Sequence, residues 1–400
     1  MEVSRLWAGL RRRGIAALLL TAAGLLAQAA GSPGAAAATT SQAVLIGVSC
    51  SSADACVAVG TLLKGPPVTA GFPLAENWNG KTWTVKATPN PKGSTNSNLF
   101  AVSCISATTC MAVGSYDHAA APTGAPFTEL WNGKAWTIRT APSPGGDNSN
   151  SSLIGVSCIS ARYCVAVGST IAGGHNNAYS EVWNGKTWRI KPTPRPRRTT
   201  YSDLGTVSCR SATFCMATGN YQVHSSSKSR TLAEEWNGRA WAIKATPNPH
   251  DGVNGDGIPS VACSSPSACI AVGGYGTANG RAALSLVEAW NGRAWAIKAS
   301  PHPKGASSNL SGVSCTTANS CLAVGSYRGG LFSGMWNGRA WAIRAVAQPR
   351  KVTSALLNGV SCGARDACAT VGDGSTTAET EIPVAEEWNG KTWSIKAVPF

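Results

Sequence analysis

Residues 99–144, LFAVSCISATTCMAVGSYDHAAAPTGAPFTELWNGKAWTIRTAPSP, set the architecture of this chain, because seven versions of this stretch follow one another. Each version has an apolar run ending in Val-Ser-Cys or Val-Ala-Cys (here 102–104), a short turn, and a second run from a cysteine to a glycine (here 110–114). A loop of variable length leads to Trp-Asn-Gly-x-x-Trp (here 131–136) and a Pro-containing segment. Short apolar or alternating runs between turn signals predict four β-strands per copy.

The Asn-Gly dipeptide of each copy predicts a tight hairpin between the third and fourth strands. It recurs at 79–80, 132–133, 184–185, 237–238, 291–292, 337–338 and 389–390. A two-residue type I′ turn would place Trp131 opposite Lys134 and Glu129 opposite Trp136, with both indoles on one face of the sheet. The glutamate two residues before the first Trp, present in six copies, is then expected to pair diagonally with a Lys or Arg of the fourth strand.

The cysteines predict one disulfide within each copy. All 14 fall in Cys-x5-Cys pairs: Cys50 and Cys56, Cys104 and Cys110, Cys158 and Cys164, Cys209 and Cys215, Cys263 and Cys269, Cys315 and Cys321, and Cys362 and Cys368. Metal binding is the competing interpretation. Each copy offers only two thiols without an accompanying histidine, whereas a zinc site normally has four ligands. Local disulfides are therefore favoured, and they imply an oxidising compartment.

Four short strands per repeat of about 50 residues are typical of a β-propeller blade. The predicted fold class is all-β, a seven-bladed β-propeller of four-stranded antiparallel blades with one local disulfide per blade. The expected blades are about 44–92, 99–145, 153–197, 204–250, 258–304, 310–350 and 357–400. An open β-solenoid or a string of independent modules is the alternative. Because the frame runs from strand 1 to strand 4, the ring would close by packing of the last copy on the first.

The N-terminal segment is predicted to be a cleaved signal peptide, residues 1–29, followed by a flexible lead-in, residues 30–43. Arg11-Arg12-Arg13 form a basic region, residues 15–26 an apolar region, and Ala27-Gln28-Ala29 a cleavage site. The apolar run is too short for a transmembrane helix, so an anchor is the less favoured interpretation. The sequence leaves Sec and twin-arginine export open and predicts a secreted, extracellular or cell-wall-associated protein.

The chain is basic, with a formal net charge of +15, of which the signal segment contributes +3, leaving +12. Fourteen cations lie on the fourth strands, two per copy: Lys81, Lys86, Lys134, Arg139, Lys186, Lys191, Arg239, Lys244, Arg293, Lys298, Arg339, Arg344, Lys391 and Lys396. They fit a solvated outer edge that resists edge-to-edge pairing. The alternative is adhesion to an anionic polymer.

Side chains that differ between copies lie in the loops after strand 2, and these loops are the predicted binding surface. The candidates are Tyr116, Asp117, His118, His175, Tyr221, His224, Tyr275, Tyr327 and Arg328. The paired tryptophans are predicted to fill the gaps between blades; stacking of sugars on them in inter-blade clefts is the alternative. The scattered histidines do not form a ligand set, Asp251–Gly257 lacks the oxygen spacing of a calcium loop, and no catalytic motif or cofactor fingerprint occurs.

The motif Val-Ser-Cys…Cys-x-Ala-Val-Gly…Glu-x-Trp-Asn-Gly-Lys-x-Trp resembles that of secreted repeat proteins of high-GC Gram-positive bacteria. The resemblance covers about residues 44–400 and implies export and a seven-bladed propeller, with no activity to transfer. The double glycine of kelch repeats, the Trp-Asp ending of WD repeats and the Asp boxes of sialidases do not occur.

The sequence therefore predicts a secreted, non-catalytic binding or adhesion module without a cofactor. The expected partner is an anionic or neutral polysaccharide, or a protein, with no specific nucleic acid, and the chain is expected to be a monomer. The alternative function is a secreted hydrolase or lyase that acts on a polysaccharide at the variable loops. The near symmetry of the copies favours the binding module, because catalysis needs one asymmetric site.

Overall fold

A computed structural model describes residues 42–65, 70–118, 121–146, 149–223, 228–249, 257–277, 282–303, 307–328, 330–350, 352–378 and 380–400, with side chains undescribed at 121–123. The predicted signal peptide, the first part of the lead-in and the candidate His224 lie outside these residues. Every helix or strand assigned within them is a β-strand.

The 28 strands form seven successive units of four. Unit 1 comprises β1 (Gln42–Ser52), β2 (Ala55–Lys64), β3 (Ala70–Trp78) and β4 (Trp83–Lys86); unit 2, β5 (Ser94–Ser106), β6 (Thr109–His118), β7 (Ala121–Trp131) and β8 (Trp136–Thr140); unit 3, β9 (Asn150–Ser160), β10 (Tyr163–Ala172), β11 (His175–Trp183) and β12 (Trp188–Lys191); unit 4, β13 (Thr199–Ser211), β14 (Phe214–Val223), β15 (Ser229–Trp236) and β16 (Trp241–Ile243). Unit 5 comprises β17 (Gly257–Ser265), β18 (Ala268–Gly276), β19 (Ala283–Trp290) and β20 (Trp295–Lys298); unit 6, β21 (Ser308–Thr317), β22 (Ser320–Tyr327), β23 (Gly330–Trp336) and β24 (Trp341–Ala345); unit 7, β25 (Val352–Ala364), β26 (Ala367–Thr376), β27 (Glu381–Trp388) and β28 (Trp393–Lys396).

Within each unit the four strands pair as an antiparallel meander in chain order. The all-β class and the four-stranded antiparallel arrangement are thus confirmed. Hydrogen bonding groups the strands into six sheets, because units 3 and 4 share one eight-stranded sheet. The link between them is a single parallel pair, Asn176 of β11 with Tyr201 of β13. The predicted separation into seven sheets therefore does not hold at this one seam.

The predicted disulfides are confirmed in all seven units. The two cysteines lie directly opposite each other on strands 1 and 2, as Cys104 and Cys110 do in unit 2, with Cα atoms 4.0 Å apart. No free cysteine is present among the described residues. Each bond therefore closes its own hairpin, and the metal-binding interpretation of the cysteines is wrong.

The predicted two-residue Asn-Gly turn is wrong. Trp131 pairs with Trp136, not with Lys134, so the loop has four residues. The Asn132 side chain stabilises it, because its Oδ1 accepts hydrogen bonds of 2.9 Å from the backbone N–H groups of both Lys134 and Ala135. Only the glycine has a positive φ, +89° at Gly133. The longer loop places the two indoles directly opposite each other, with ring centroids 5.5 Å apart.

The first strands of the units lie side by side, and a hydroxyl joins each neighbouring pair. The Ser of Val-Ser-Cys accepts a hydrogen bond from the backbone N–H of the corresponding cysteine in the next unit. The bonds join Ser49 to Cys104, Ser103 to Cys158, Ser157 to Cys209, Ser208 to Cys263, Ser314 to Cys362, and Ser361 to Cys50. Small residues allow this approach: a Cβ added to Gly155 would lie 2.7 Å from the Gly205 carbonyl oxygen.

Unit 7 packs against unit 1. The side-chain amide of Asn358 donates a hydrogen bond of 2.9 Å to the Leu45 carbonyl, and the backbone N–H of Glu381 donates one of 2.9 Å to Gln42 Oε1. Ala369 and Ala385 of unit 7 share a core cluster with Trp83 of unit 1 and other residues. The other clusters likewise combine residues of neighbouring units. The apolar core therefore lies in the seams between units.

Candidate functional site

The two ends of the units differ in composition. At the turn end, the cysteine hairpin lies against the Asn-Gly turn: a Cβ added to Gly80 would lie 2.7 Å from Asp54 Oδ1. At the opposite end, the loops between strands 2 and 3 meet the segments that cross to the next unit. A Cβ added to Gly93, in the crossing from unit 1 to unit 2, would lie 3.5 Å from His118 Nδ1. We call this second end, where the loops vary in length, the variable end.

Tyr116 anchors a cluster of candidate residues at the variable end of unit 2. Its ring packs edge-on against Phe127 at 5.9 Å and against His118 at 5.0 Å. Asp117 lies close to Asn150 of unit 3, since a Cβ added to Gly124 would be within 4 Å of a side-chain oxygen of each. The two rings therefore lie on the face of β6 toward unit 1, where Tyr116 packs on the core cluster of units 1 and 2, and Asp117 lies on the opposite face, at the seam with unit 3.

The other candidate tyrosines are half-buried. Tyr221 and Tyr275 pack on core clusters, and Tyr327 packs edge-on against Phe332 at 6.1 Å. Each ring is thus held in place and keeps an exposed part at the variable end. His175, the first residue of β11, and Arg328, in the loop after β22, are both exposed. Among the residues the structure describes, no group of three or more His, Cys, Asp or Glu side chains could hold a metal ion.

Sequence reasoning missed a polar network beside Tyr221. The Tyr201 hydroxyl donates a hydrogen bond of 2.9 Å to Asp203 Oδ2, and the backbone N–H of Asn220 donates one of 3.0 Å to Asp203 Oδ1. Burial raises the pKa of Asp203 to about 6, although these hydrogen bonds act in the opposite direction. The sequence does contain a signal for this network. Strand β13 has Tyr-x-Asp at the positions where the aligned strand β5 has Asn96 and Asn98.

A second missed carboxylate is Asp373 in unit 7. Its Oδ1 accepts a hydrogen bond of 2.7 Å from the side-chain amide of Asn358. Burial raises its pKa to about 6; the Asn358 hydrogen bond lowers it and the charge of Glu381 raises it further. Both missed carboxylates thus titrate near neutral pH.

Twelve of the fourteen paired tryptophans are buried, which favours their interpretation as packing residues; the two half-buried ones are Trp336 and Trp341 of unit 6. The second Trp of a unit reaches the preceding unit. Its Nε1 donates to a hydroxyl in three seams: Trp188 to Thr128, Trp241 to Ser180 and Trp393 to Ser333. The remaining four, Trp83, Trp136, Trp295 and Trp341, have no hydrogen-bond partner for Nε1 among the described residues.

Five of the six repeated glutamates do not pair with a basic residue of strand 4 in the part of the chain that the structure describes, so the predicted pairing is wrong for Glu76, Glu129, Glu181, Glu234 and Glu386. Glu76, Glu129, Glu181, Glu234, Glu288 and Glu386 are all 0% exposed. Burial raises the pKa to about 8 for Glu76, Glu129, Glu181 and Glu234. They face the neighbouring unit because each lies two residues before the first Trp, on the same face of the strand. The four-residue turn places Ile138, not a basic residue, opposite Glu129. The ion pair found instead joins Lys244 to the adjacent Glu235, at 3.5 Å.

The crossing segment from the preceding unit covers this glutamate position. In unit 6 the glutamate is replaced by Gly334, and a Cβ there would lie 2.6 Å from Pro301 Cγ. In unit 7 the residue aligned with Pro301 is Ala347, whose backbone N–H donates a hydrogen bond of 3.3 Å to Glu386 Oε2. This bond opposes the effect of burial, so the pKa of Glu386 rises only to about 7. Proline has no N–H to donate, which explains why the other carboxyls are more strongly perturbed.

Some cations of strand 4 lie over the first Trp of the next unit. Lys191 Nζ is 6.0 Å from the centre of a Trp236 ring, and Lys396 Nζ is 5.6 Å from that of Trp78. These cation–π contacts cover the outer ends of the seams.

Beside the cations, strand 4 exposes one β-branched residue at the same position in six units: Val85, Ile190, Ile243, Ile297, Ile343 and Ile395. The outer edge is therefore mixed apolar and basic. No helix long and apolar enough to cross a membrane occurs in the described ranges.

No family model matches the chain, and no curated protein matches it. Among solved structures, a polysaccharide lyase, an ulvan lyase, is 12% identical; the match covers 86% of this chain and 94% of that one, with a TM-score of 0.52. A fucose-specific lectin from Aleuria aurantia is 13% identical over 74% of this chain and 93% of its own, with a TM-score of 0.44. An α-L-arabinanase from Penicillium chrysogenum is 9% identical over 75% and 95%, with a TM-score of 0.46. The chain thus has a repeat β-propeller-like fold with one local disulfide per unit.

Proposed function

We propose that this protein is a seven-bladed β-propeller that acts outside the cell as a non-catalytic binding or adhesion module for a polysaccharide. The eight-stranded sheet then counts as two blades, since one parallel pair joins units that are otherwise complete. Residues 44–400 form the propeller, and residues 1–29 are a signal peptide removed on export. Seven disulfides support an oxidising, extracellular location.

The observation that carries the proposal is the arrangement of Tyr116, Asp117 and His118 at consecutive positions near the end of β6, at the variable end, with Asn150 of unit 3 beside Asp117. Rigid sheets hold these side chains, and the copies differ from one another there, as recognition of one ligand requires. A phenol ring, a carboxylate and an amide provide a stacking surface and hydrogen-bonding groups for sugar hydroxyls. A similar fold in an ulvan lyase supports a carbohydrate partner. The remaining candidates, His175, Tyr221, His224, Tyr275, Tyr327 and Arg328, extend the proposed surface around the ring.

A glycan array followed by titration calorimetry tests the proposal. We expect one binding event per chain, lost in a variant combining Asp117→Ala and His118→Ala. The matched control is His302→Ala, which changes an exposed histidine of a crossing segment outside the cluster. Several equivalent binding events per chain that persist in the double variant would contradict a binding site at the variable end. Binding of every anionic polymer that disappears with added salt would show that only the net positive charge acts.

The second candidate function is a polysaccharide hydrolase or lyase with its site at the variable end. The observation that favours it is the Tyr201–Asp203 pair, because a carboxyl with a pKa of about 6 can exchange a proton near neutral pH. A turnover screen on neutral and uronic-acid polysaccharides distinguishes the two functions. Robust turnover that Asp203→Asn abolishes, without loss of the folded state, would favour the enzyme.

A further inference from the structure

The seam between units 5 and 6 contains a cleft of about 150 Å³ at the turn end. Unit 5 contributes Ser264, Ile270 and Ala289, and unit 6 contributes Asn319 and Trp336, with other residues. This cleft is far from the variable end, where the proposed function places recognition. None of the residues lining it is charged.

The same position in the seam between units 2 and 3 is almost filled. The space there is about 10 Å³, and Ile105, Met111 and Leu130 are among its lining residues. Aligned on the cysteines, Ile105 corresponds to Ser264 and Leu130 to Ala289. Two large aliphatic side chains in one seam are therefore replaced by two small ones in the other. The size of the cleft follows from these two substitutions.

The 5–6 seam also differs from other seams at three positions. Ala262 replaces the serine that, in other units, accepts a hydrogen bond from a cysteine N–H of the following unit. Gly334 replaces the buried glutamate. In other seams Thr128 or Ser180 accepts a hydrogen bond from an indole N–H, and Val287 occupies the equivalent position here. Trp341 Nε1 accordingly has no hydrogen-bond partner among the described residues. The inner strands stay joined, since Ser260 Oγ accepts a 3.1 Å hydrogen bond from the Val313 N–H. The seam is thus looser at its turn end without being open at the axis.

We propose that this cleft is a binding site for one neutral pyranose ring, separate from the variable end. A cavity of about 150 Å³ accommodates a six-membered ring such as benzene. Trp336, half-buried where the corresponding Trp131 is buried, offers part of an indole face on which the C–H groups of a sugar stack. The Asn319 amide provides donors and an acceptor for sugar hydroxyls, and the Ser264 hydroxyl, which donates to the Ala268 carbonyl at 3.3 Å, provides a further acceptor. The absence of charge among the lining residues favours a neutral sugar over a uronic acid or a sugar phosphate.

The test uses methyl glycosides of glucose, galactose, mannose and N-acetylglucosamine as probes. We expect at least one to shift the indole N–H signals of Trp336 and Trp290 in the ¹⁵N spectrum of the full chain, whereas methyl glucuronide does not. The filling variant combines Ser264→Ile and Ala289→Leu, which reproduces the composition of the 2–3 seam. It should weaken binding at least about tenfold, as occlusion of a pocket does. Its control is Ile105→Val with Leu130→Ile, which changes the same positions in the 2–3 seam and should retain binding.

A second variant, Asn319→Ala, removes an exposed amide without filling the cleft, so it tests the proposal even if the filling variant does not fold. We expect it to weaken binding several-fold. Failure of all the neutral glycosides to shift the two indole signals would overturn the proposal. So would binding that survives both variants, or loss of the same binding in the Asp117→Ala and His118→Ala variant, which would place the sugar at the variable end. Failure of the variable-end site alone leaves these indole shifts unchanged, so the two proposals can fail separately.

Discussion

The side-chain oxygen of Ser361 in unit 7 accepts a hydrogen bond of 2.9 Å from the backbone N–H of Cys50 in unit 1, 311 residues earlier in the chain. It is the same contact that joins consecutive units, made here between the last and the first. The Ser of the repeated Val-Ser-Cys is thus a link between units, not within one. Only the fifth copy lacks it, because Ala262 has no hydroxyl.

Ala262→Ser should therefore stabilise the protein. The new hydroxyl would lie where Ser208 and Ser314 lie in other copies, within reach of the Cys315 N–H, and a buried neutral hydrogen bond contributes about 0.5–1.5 kcal/mol. Urea denaturation of the oxidised protein measures the change. The reciprocal variant, Ser157→Ala, should destabilise it by a similar amount. Unchanged or lower stability of Ala262→Ser would contradict this account of the motif.

An added hydroxyl should also provide a hydrogen-bond acceptor for a buried indole N–H. Trp136 Nε1 has no partner among the described residues, and Ala75 occupies the position from which Thr128 accepts from Trp188 in the next seam. Ala75→Ser should raise the free energy of unfolding by about 0.5–1.5 kcal/mol. Ala58→Ser, equally buried in the same unit, is the control and should be destabilising. Ser180→Ala, which removes the acceptor of Trp241, should cost about 1–3 kcal/mol.

The buried glutamates should make the protein less stable as pH rises. Their folded-state pKa of about 8 lies above the ordinary glutamate pKa of 4.5, so the folded state binds more protons between these two pH values. Stability is then fully present below about pH 4.5 and decreases until about pH 8, and this is the reverse of the usual carboxylate behaviour. Thermal unfolding at pH 5, 6.5 and 8 should give steadily lower midpoints.

Glu129→Gln tests the assignment to individual carboxyls. The amide keeps the shape of the neutral acid and cannot ionise, so the slope of the unfolding free energy against pH should flatten by up to about 1.4 kcal/mol per pH unit between pH 5 and 7.5. The control, Glu235→Gln, changes a glutamate of unit 4 that is partly exposed and paired with Lys244, and it should leave the slope nearly unchanged. Equal effects of the two substitutions would show that the buried carboxyl is not the titrating group.

Reduction of the disulfides should loosen the turns and leave the sheets folded. Each bond closes a hairpin with a sequence separation of 6, and closing so short a loop contributes about 2 kcal/mol by the chain-entropy estimate. The seams are held by buried apolar side chains that reduction does not alter. The amide I infrared band should keep its β signature, while the unfolding midpoint decreases. Non-reducing peptide mapping should find no linkage between different units.

The repeated residues were enough to predict the class, the meander and the disulfides, because each is a local property of one copy. The register of the Asn-Gly hairpin is also a local property, but two different local turns compete for it. The Asn132 side chain accepts from the N–H groups of Lys134 and Ala135, and this side-chain turn competes with the type I′ turn that the dipeptide alone favours. The prediction gave Glu129 a Lys or Arg partner on the fourth strand, whereas it is fully buried in a seam.

Contacts between copies could not be read from one repeat. The contact of Asn358 with the Leu45 carbonyl joins units 7 and 1 and spans 313 residues. The cleft beside Trp336 depends on two small residues, Ser264 and Ala289. Nothing in the sequence distinguishes them, and they form a cleft only because unit 6 packs against them. The candidate residues of the variable end were selected because they differ between copies, and their contribution to binding stays a prediction.

The direct opposition of the tryptophans has a spectroscopic consequence. Seven indole pairs lie with ring centroids 5.5–5.8 Å apart and with tilts of 40–50°. Rings so close and so similarly oriented couple their electronic transitions, and the seven couplets add because their geometry is the same. The far-ultraviolet circular dichroism of this protein should therefore contain a strong aromatic couplet in the region used to estimate strand content. Its amplitude would report how many hairpins remain intact, which makes these indoles an intrinsic probe for unfolding that proceeds one unit at a time.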